Sequence, residues 1–338
     1  MESIAPETEQ QVSPSVFSER GDARAIVDCA EDDCYRPVCT SSKDQVCQIS
    51  NGLPYCNRLL FDIGLELREQ RGGSLSLVTI DVNLEPLPGP ESCRAIPFLR
   101  WLLQNHVCIT TFDLWNSPSK PHGKIVLQEL PENYGIKNLT LQILEEDGSA
   151  HTHVAKHLPR LSSLETLSCS DVFDGEEPLF SALAKYIRET TVLQKLRLTV
   201  TSPQDPEKTA TSMCLALLFA SMAANTSISD LDILTNGSFR HNDCLTRIIR
   251  HSSYISRVSF QENTGLGNAT KFVSLLSEAI GDNYVLLELD LHGAKVGVDA
   301  KWCFFAIRET TRRNCGLVER AAAFNKTAPL DCKDLGLA

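Results

Sequence analysis

Residues 225–236 read NTSISDLDILTN, with the apolar residues Ile228, Leu231 and Ile233 at relative positions one, four and six. The same spacing recurs as Leu75/Val78/Ile80, Ile109/Phe112/Leu114, Ile136/Leu139/Leu141, Leu164/Leu167/Cys169, Leu193/Leu196/Leu198, Ile255/Val258/Phe260 and Leu286/Leu289/Leu291. Start-to-start intervals are 34, 27, 28, 29, 35, 27 and 31 residues. Apolar and polar residues alternate through the second half of each copy, the period of a strand with one buried face. A short strand returning at that interval marks a stacked repeat, because one unit cannot bury its apolar face alone.

The residues between the copies supply the second half of each unit. SCRAIPFLRWLLQNH (92–106), EEPLFSALAKYIRETT (176–191), ATSMCLALLFASMAANT (210–226), NDCLTRIIRHSS (242–253), NATKFVSLLSEAIGDN (268–283) and AKWCFFAIRETTRRNC (300–315) suit helices. LWNSPSKPHGKIVLQELPENYG and LEEDGSAHTHVAKHLPRL are rich in turn residues, so short or irregular outer elements are expected there. The expected class is α/β: a leucine-rich-repeat solenoid, or horseshoe, with a concave parallel sheet and convex helices.

Four regions follow. Residues 1–22, rich in Ser, Glu, Gln and Pro, read as a disordered tail. Residues 23–73 form a cysteine-bearing segment and a capping helix, in which Leu59, Leu60, Ile63, Leu65 and Leu67 predict a helix ending at Gly72 and Gly73. About eight repeats occupy 74–316. In 317–338 Leu317 falls 31 residues after Leu286, with Arg320 and Ala322 in the remaining motif positions, as expected of a terminal cap and tail.

The net charge is −11, from 43 acidic and 32 basic residues, which opposes binding to nucleic-acid phosphates or anionic membranes. The apolar run 213–224 is too short to cross a bilayer, and the polar start MESIAPETEQQVSPS lacks the pattern of a secretory signal. Cytoplasmic residence is the expectation. Thirteen cysteines cannot all pair within one chain. Cys93, Cys108, Cys169, Cys214, Cys244, Cys303 and Cys315 lie in apolar, periodic surroundings and read as reduced core residues. Cys29, Cys34, Cys39, Cys47 and Cys56 contain no C-x2–4-C pair, so local disulfides or free thiols are expected there rather than zinc. Asn138, Asn225, Asn236, Asn268 and Asn325 begin N-x-[ST] sequons that are expected to stay bare without a visible signal.

NTSISDLDILTNGSF and NYVLLELDLHGAKVG resemble the ribonuclease-inhibitor-like leucine-rich repeats, the class also found as the sensor tail of nucleotide-binding innate-immune receptors. The resemblance implies a concave-side parallel strand and a convex-side helix in each repeat, with an asparagine after the strand bonding the neighbouring turn. Asn83, Asn236 and Asn263 match that position; Val172, Thr201 and Ala294 replace it elsewhere. No G-x-x-x-x-G-K-[ST] occurs, so the receptors' nucleotide-binding module is absent from this sequence.

On such a sheet the third and fifth motif residues, and the one after the motif, face away from the core. That places Asp81, Asp113, Trp115, Lys195, Arg197, Asp230, Asp232, Arg257, Glu288 and Asp290 on the concave face, acidic at both ends with Lys195 and Arg197 near the middle. Leu77 and Thr79 are assigned to the same face. A broad polar face suits a protein partner, and Trp115 is its expected anchor. His151, His153 and His157 in HTHVAKH lack a carboxylate or thiol at ligand spacing and read as a surface loop; GLGNAT (265–270) reads as a turn, not a dinucleotide fingerprint. No G-x-S-x-G, H-E-x-x-H or kinase-like set is present. The expectation is a non-enzymatic protein-binding scaffold without cofactor or metal. The alternative is a substrate-recruiting or regulatory subunit of a ubiquitin-ligase or innate-immune signalling assembly.

Overall fold

The structure, a computed structural model, describes residues 39–41, 46–80, 92–114, 126–130, 133–142, 148–173, 177–201, 209–236, 242–262, 269–292 and 300–327. The tail 1–22, Cys29, Cys34, Asp81, Asn83, Trp115 and Asn263, and the start of GLGNAT, lie outside them.

Nine strands form one sheet in chain order. They are β1 (Leu65–Glu69), β2 (Leu75–Thr79), β3 (Ile109–Leu114), β4 (Asn138–Gln142), β5 (Thr166–Phe173), β6 (Lys195–Thr201), β7 (Asp230–Asn236), β8 (Arg257–Glu262) and β9 (Glu288–His292). β1 and β2 pair antiparallel, and every later neighbour is parallel. The helices are α1 (Leu53–Phe61), α2 (Ser92–Asn105), α3 (Gly148–His157), α4 (Glu177–Glu189), α5 (Thr209–Ala224), α6 (Asn242–His251), α7 (Ala269–Ile280) and α8 (Lys301–Thr327). Strand and helix alternate from β2 onward, with residues 126–129 helical between β3 and β4, and Phe112, Leu139, Leu167, Leu196, Leu231 and Val258, the fourth motif residues, meet in one row of the core. The architecture is α/β, a mostly parallel sheet backed by helices, and it fits a repeat protein of leucine-rich-repeat type.

The amino-terminal end departs from the expected capping helix. α1 stops at Phe61, Gly64 turns the chain at φ 70°, and Leu65 and Leu67 enter strand β1. Gly72 and Gly73, at φ 87° and 76°, turn the chain back toward β2. Two successive positive-φ residues suit the tight turn of a hairpin, which L side chains adopt at a cost. Leu65, Leu67, Leu75 and Leu77 then share one buried face. This shifts the first repeat by one residue: Leu77, assigned above to the open face, pairs with Phe112 and is fully buried, while Val78 pairs with Asp113. The Asn57 side chain closes the outer edge, bonding both the amide and the carbonyl of Leu67 at 2.7 and 2.9 Å.

Two further expectations change. HTHVAKH is not a loop; His153 and His157 stack on α3, their ring centroids 6.4 Å apart, and His157 is buried. Burial, before its cationic neighbours Lys156 and Arg160, holds the His157 pKa below the ordinary imidazole range. At the other end α8 runs unbroken through Gly316 to Thr327, past the position where another strand would begin. Arg320 and Ala322 offer no apolar pair for a strand's buried face, whereas GLVERAAAFNK after Cys315 is rich in helix formers.

The repeats are tied by buried side chains three residues before the motif. Asn225 Nδ2 donates to the carbonyls of Ile187 and Thr190 at the end of α4, at 2.6 and 2.9 Å, and its Oδ1 accepts from the amides of Ser227 and Ile228, both at 2.7 Å. Asn133 reaches the carbonyls of Leu103 and His106, Asn283 that of Ile249, and Asn314 those of Asn283 and Leu286. Carbonyls at a helix end lack intrahelical partners, so each asparagine caps the preceding helix, or its following turn, across the repeat boundary. Ser252 takes this place before β8, accepting from the Ile255 amide, and His106 takes it before β3.

Candidate protein-binding face

Alternation along each strand sends the fourth and sixth motif residues to the helices and the third and fifth to the opposite, open face. The register brings those outer residues into rows. One runs Thr111, Asn138, Thr166, Lys195, Asp230, Arg257 and Glu288; the next runs Asp113, Thr140, Ser168, Arg197, Asp232, Ser259 and Asp290. Eight of the ten residues assigned from sequence therefore share this face, and Asp81 and Trp115 fall outside the described residues.

The face is divided differently from the expectation. From β3 to β5 it carries hydroxyls and amides beside the single carboxylate of Asp113, with Asn138 donating to Thr111 Oγ1 at 3.2 Å and Thr111 to Gln70 Oε1 at 3.3 Å. From β6 to β9 it carries charges that alternate across strands and join. Lys195 and Arg257 both reach Asp230 Oδ2 at 3.1 Å, and Arg197 Nε meets Asp232 Oδ2 at 2.7 Å. On the edge strand His292 lies 3.1 Å from Asp290. Lys195 and Arg197 are thus half of a neutralising lattice rather than an isolated basic centre. The cations keep about half of their side-chain surface in water, at 42% for Lys195, 55% for Arg197 and 57% for Arg257, while Asp230 and Asp232 sit lower between them. The cationic heads stand outermost, within reach of an incoming carboxylate.

A second surface went unread in the sequence. Val107, Tyr134, Val192, Tyr254 and Tyr284 are exposed one or two residues before the motif, all in the turn from helix to strand. Arg313 covers the Tyr284 ring at 4.4 Å from its centroid. Such residues belong to no periodic pattern within one repeat, and only the superposed repeats align them. The cavity lined by Pro159, Leu161, Ser162, Tyr186, Glu189, Thr190, Thr191 and Val192 lies near this rim and holds about 170 Å³.

Ligand-type groups converge elsewhere, at the amino-terminal end. Cys39, Cys47, His106 and Cys108 bring their ligand atoms within 4.8 Å of one another. His106 Nδ1 lies 3.5 Å from Cys47 Sγ and 3.8 Å from Cys108 Sγ. Cys47, His106 and Cys108 are buried and Cys39 is half-buried. The Cys108 thiol, and then His106, hydrogen-bond to Cys47 and pull its pKa down against burial, while the contact with Cys47 pushes Cys108 up. Burial alone pushes Cys169 up to about 12, and it leads the rise of Cys56 to about 12. Cys169 is thus the small hydrophobe read from sequence, and Cys56, grouped there with the amino-terminal cysteines, behaves the same way as a free thiol. Of the other cysteines read as core, Cys244, Cys303 and Cys315 are only half-buried.

No protein-family model and no curated protein matches this chain. Among solved structures it is similar to the actin-binding site 2 of leiomodin-1, with a TM-score of 0.40 and 10% identity over 54% of this chain and 98% of that one. It is also similar to the C-terminal domain of tropomodulin from Caenorhabditis elegans, with a TM-score of 0.35 and 13% identity over 51% of this chain and 98% of that one. Likeness of this degree leaves partner and activity to be argued from the residues of this chain.

Proposed function

We propose that this chain is a non-enzymatic scaffold, a ribonuclease-inhibitor-like horseshoe that holds a protein partner on the concave side of its sheet in the cytoplasm. The observation that carries the reading is the register from β6 to β9, which sets Lys195, Asp230, Arg257, Arg197 and Asp232 side by side on an open surface. Paired exposed charges contribute little to folding, about 0–1 kcal/mol each, so such a lattice is better suited to selecting a partner by charge pattern. The carboxylates of Asp230 and Asp232 are each engaged by a cation, a poor arrangement for a general base.

Proximity labelling in cells tests this with paired variants. Arg197→Glu combined with Arg257→Glu should remove the partners retained by a control bearing Lys185→Glu and Arg188→Glu on exposed positions of α4. Each face substitution should change stability by less than about 1 kcal/mol in urea unfolding, which separates lost binding from lost fold. The exchange Arg197→Asp with Asp232→Arg rebuilds the internal pair with its polarity reversed, and should not restore the partners. Equal labelling by face and control variants, or full recovery by the exchange, defeats the reading.

A further inference from the structure

We infer that Cys39, Cys47, His106 and Cys108 form a structural zinc site of Cys3His type that clamps the segment before α1 to the first repeat. Three observations carry it. The first is convergence: two cysteines from the amino-terminal segment and a His-x-Cys pair from the α2–β3 turn, 59 residues on from Cys47, bring four ligand atoms within 4.8 Å. Zinc takes thiolate and imidazole ligands tetrahedrally, and bond lengths of about 2.3 Å to sulfur and about 2.0 Å to nitrogen give an S···N edge of about 3.5 Å. The two edges to His106 Nδ1 measure 3.5 and 3.8 Å. A disulfide would engage only two of the three sulfurs and would leave the imidazole without a role.

The second observation is the place of His106 in the repeat. Asn133, Asn225, Asn283 and Asn314 occupy the same position and spend their amides on carbonyls of the preceding unit. Before β3 an imidazole stands there instead and turns Nδ1 toward two sulfurs. Its ring is held against Trp101 at 5.0 Å between centroids and 72° between planes, which fixes the nitrogen's aim. The preceding unit at this boundary is the amino-terminal segment itself, so the substitution falls where a metal would bridge the same gap that asparagine bridges elsewhere.

The third is how the segment is shaped. The Gln48 amide donates to Thr40 Oγ1 at 3.0 Å, and the Ser50 amide to the Cys47 carbonyl at 3.0 Å, which folds Cys39 and Cys47 to the same side. Cys47 and Ile49 then join Cys56 and Leu60 in the core that closes the first repeat. Binding releases the three thiol protons, and Zn²⁺ with three thiolates and one neutral imidazole carries a net −1. All four positions belong to protein side chains, with none left for water, so the site is structural and not catalytic.

Elemental analysis of the full chain, purified from zinc-supplemented cells under reducing conditions, should find one zinc per chain. Cys39→Ala combined with Cys108→Ser should lower this at least tenfold, whereas Cys303→Ser, at a half-buried cysteine of α8, should keep it. Cys39→His, at the half-buried ligand, should also retain the metal while keeping the fold intact. Cobalt should replace zinc with the intense visible absorption of tetrahedral thiolate coordination, and a chelator should lower the Tm of the natural chain but not of the double variant. Three thiols should become reactive only after chelation. Less than a tenth of an equivalent of zinc in the natural chain overturns the proposal, as does iron in its place. A disulfide among Cys39, Cys47 and Cys108 in mass spectra, or unchanged zinc in the double variant, overturns it equally.

Discussion

Replacing Asn225 with alanine should cost about 3–5 kcal/mol of folding stability, read as a lowered urea midpoint without a change in slope. The side chain is 2% exposed and makes four bonds to backbone atoms: two donated to the carbonyls of Ile187 and Thr190, two accepted from the amides of Ser227 and Ile228. Truncation removes the partner of the Ile187 carbonyl and the Ser227 and Ile228 amides and leaves the Thr190 carbonyl only Ser227 Oγ at 3.4 Å, and each unsatisfied buried polar group costs about 1–3 kcal/mol. The penalty is discounted because the gap can admit water at its edge. Aspartate is the informative companion. It keeps the acceptor but loses the donor and places a carboxylate against two carbonyl oxygens, so Asn225→Asp should be at least as damaging near neutral pH. Thr226→Ala, at the exposed residue between Asn225 and Ser227, leaves these bonds untouched and should be nearly silent. Equal, small losses for all three would mean that the bridge contributes little.

Gly135→Ala should cost about 3 kcal/mol, at the upper end of what overpacking does. A Cβ at Gly135 would lie 2.0 Å from the Val107 carbonyl oxygen and 2.8 Å from its Cα, and these are backbone atoms of the turn before β3. A side chain could rotate away; this backbone is fixed by its place between α2 and β3. The neighbouring repeat would have to move outward, breaking the Gly135 amide's bond to Asn133 Oδ1 at 2.9 Å. By contrast Gly316→Ala meets nothing within 4 Å and lies inside α8, where alanine is the better helix former, so it should stabilise by about 1 kcal/mol or less. Thermal unfolding of both variants beside the natural chain checks the contrast in sign.

How much of this was legible follows from which forces are local. Strand positions from β3 to β9 could be read because Phe112, Leu139, Leu196 and Leu231 recur at fixed spacing, and burial of an apolar row is written in every copy. The first strand was misread for a physical reason. LELRE has period two over too few residues to outweigh the helical spacing of Leu59, Leu60 and Ile63 before it, and only pairing with β2 settles the matter. The same hairpin moved Leu77 from the open face to the core. The bonds of the asparagines before the strands could not be read because their partners lie 27 to 38 residues away, where no local pattern points. The register sets eight of these residues in two rows of the open face, and the pairing of Lys195 with Asp230 could not be read, since they become neighbours only through register. Cys39 and Cys47 were weighed among adjacent cysteines alone; their companions His106 and Cys108 arrive from the far side of a hairpin and a helix.

The unbroken helix α8 carries a lesson for protein engineering. Asn314 completes the inter-unit bridge to the Asn283 and Leu286 carbonyls although helix, not strand, continues through Thr327. The hand-over to a next unit is therefore already built, and the helix-forming chain after Cys315 stands where a strand would take it up. Splicing a strand-and-helix unit in place of residues 316–327 would give a longer array at this junction, with the existing asparagine serving as its connector.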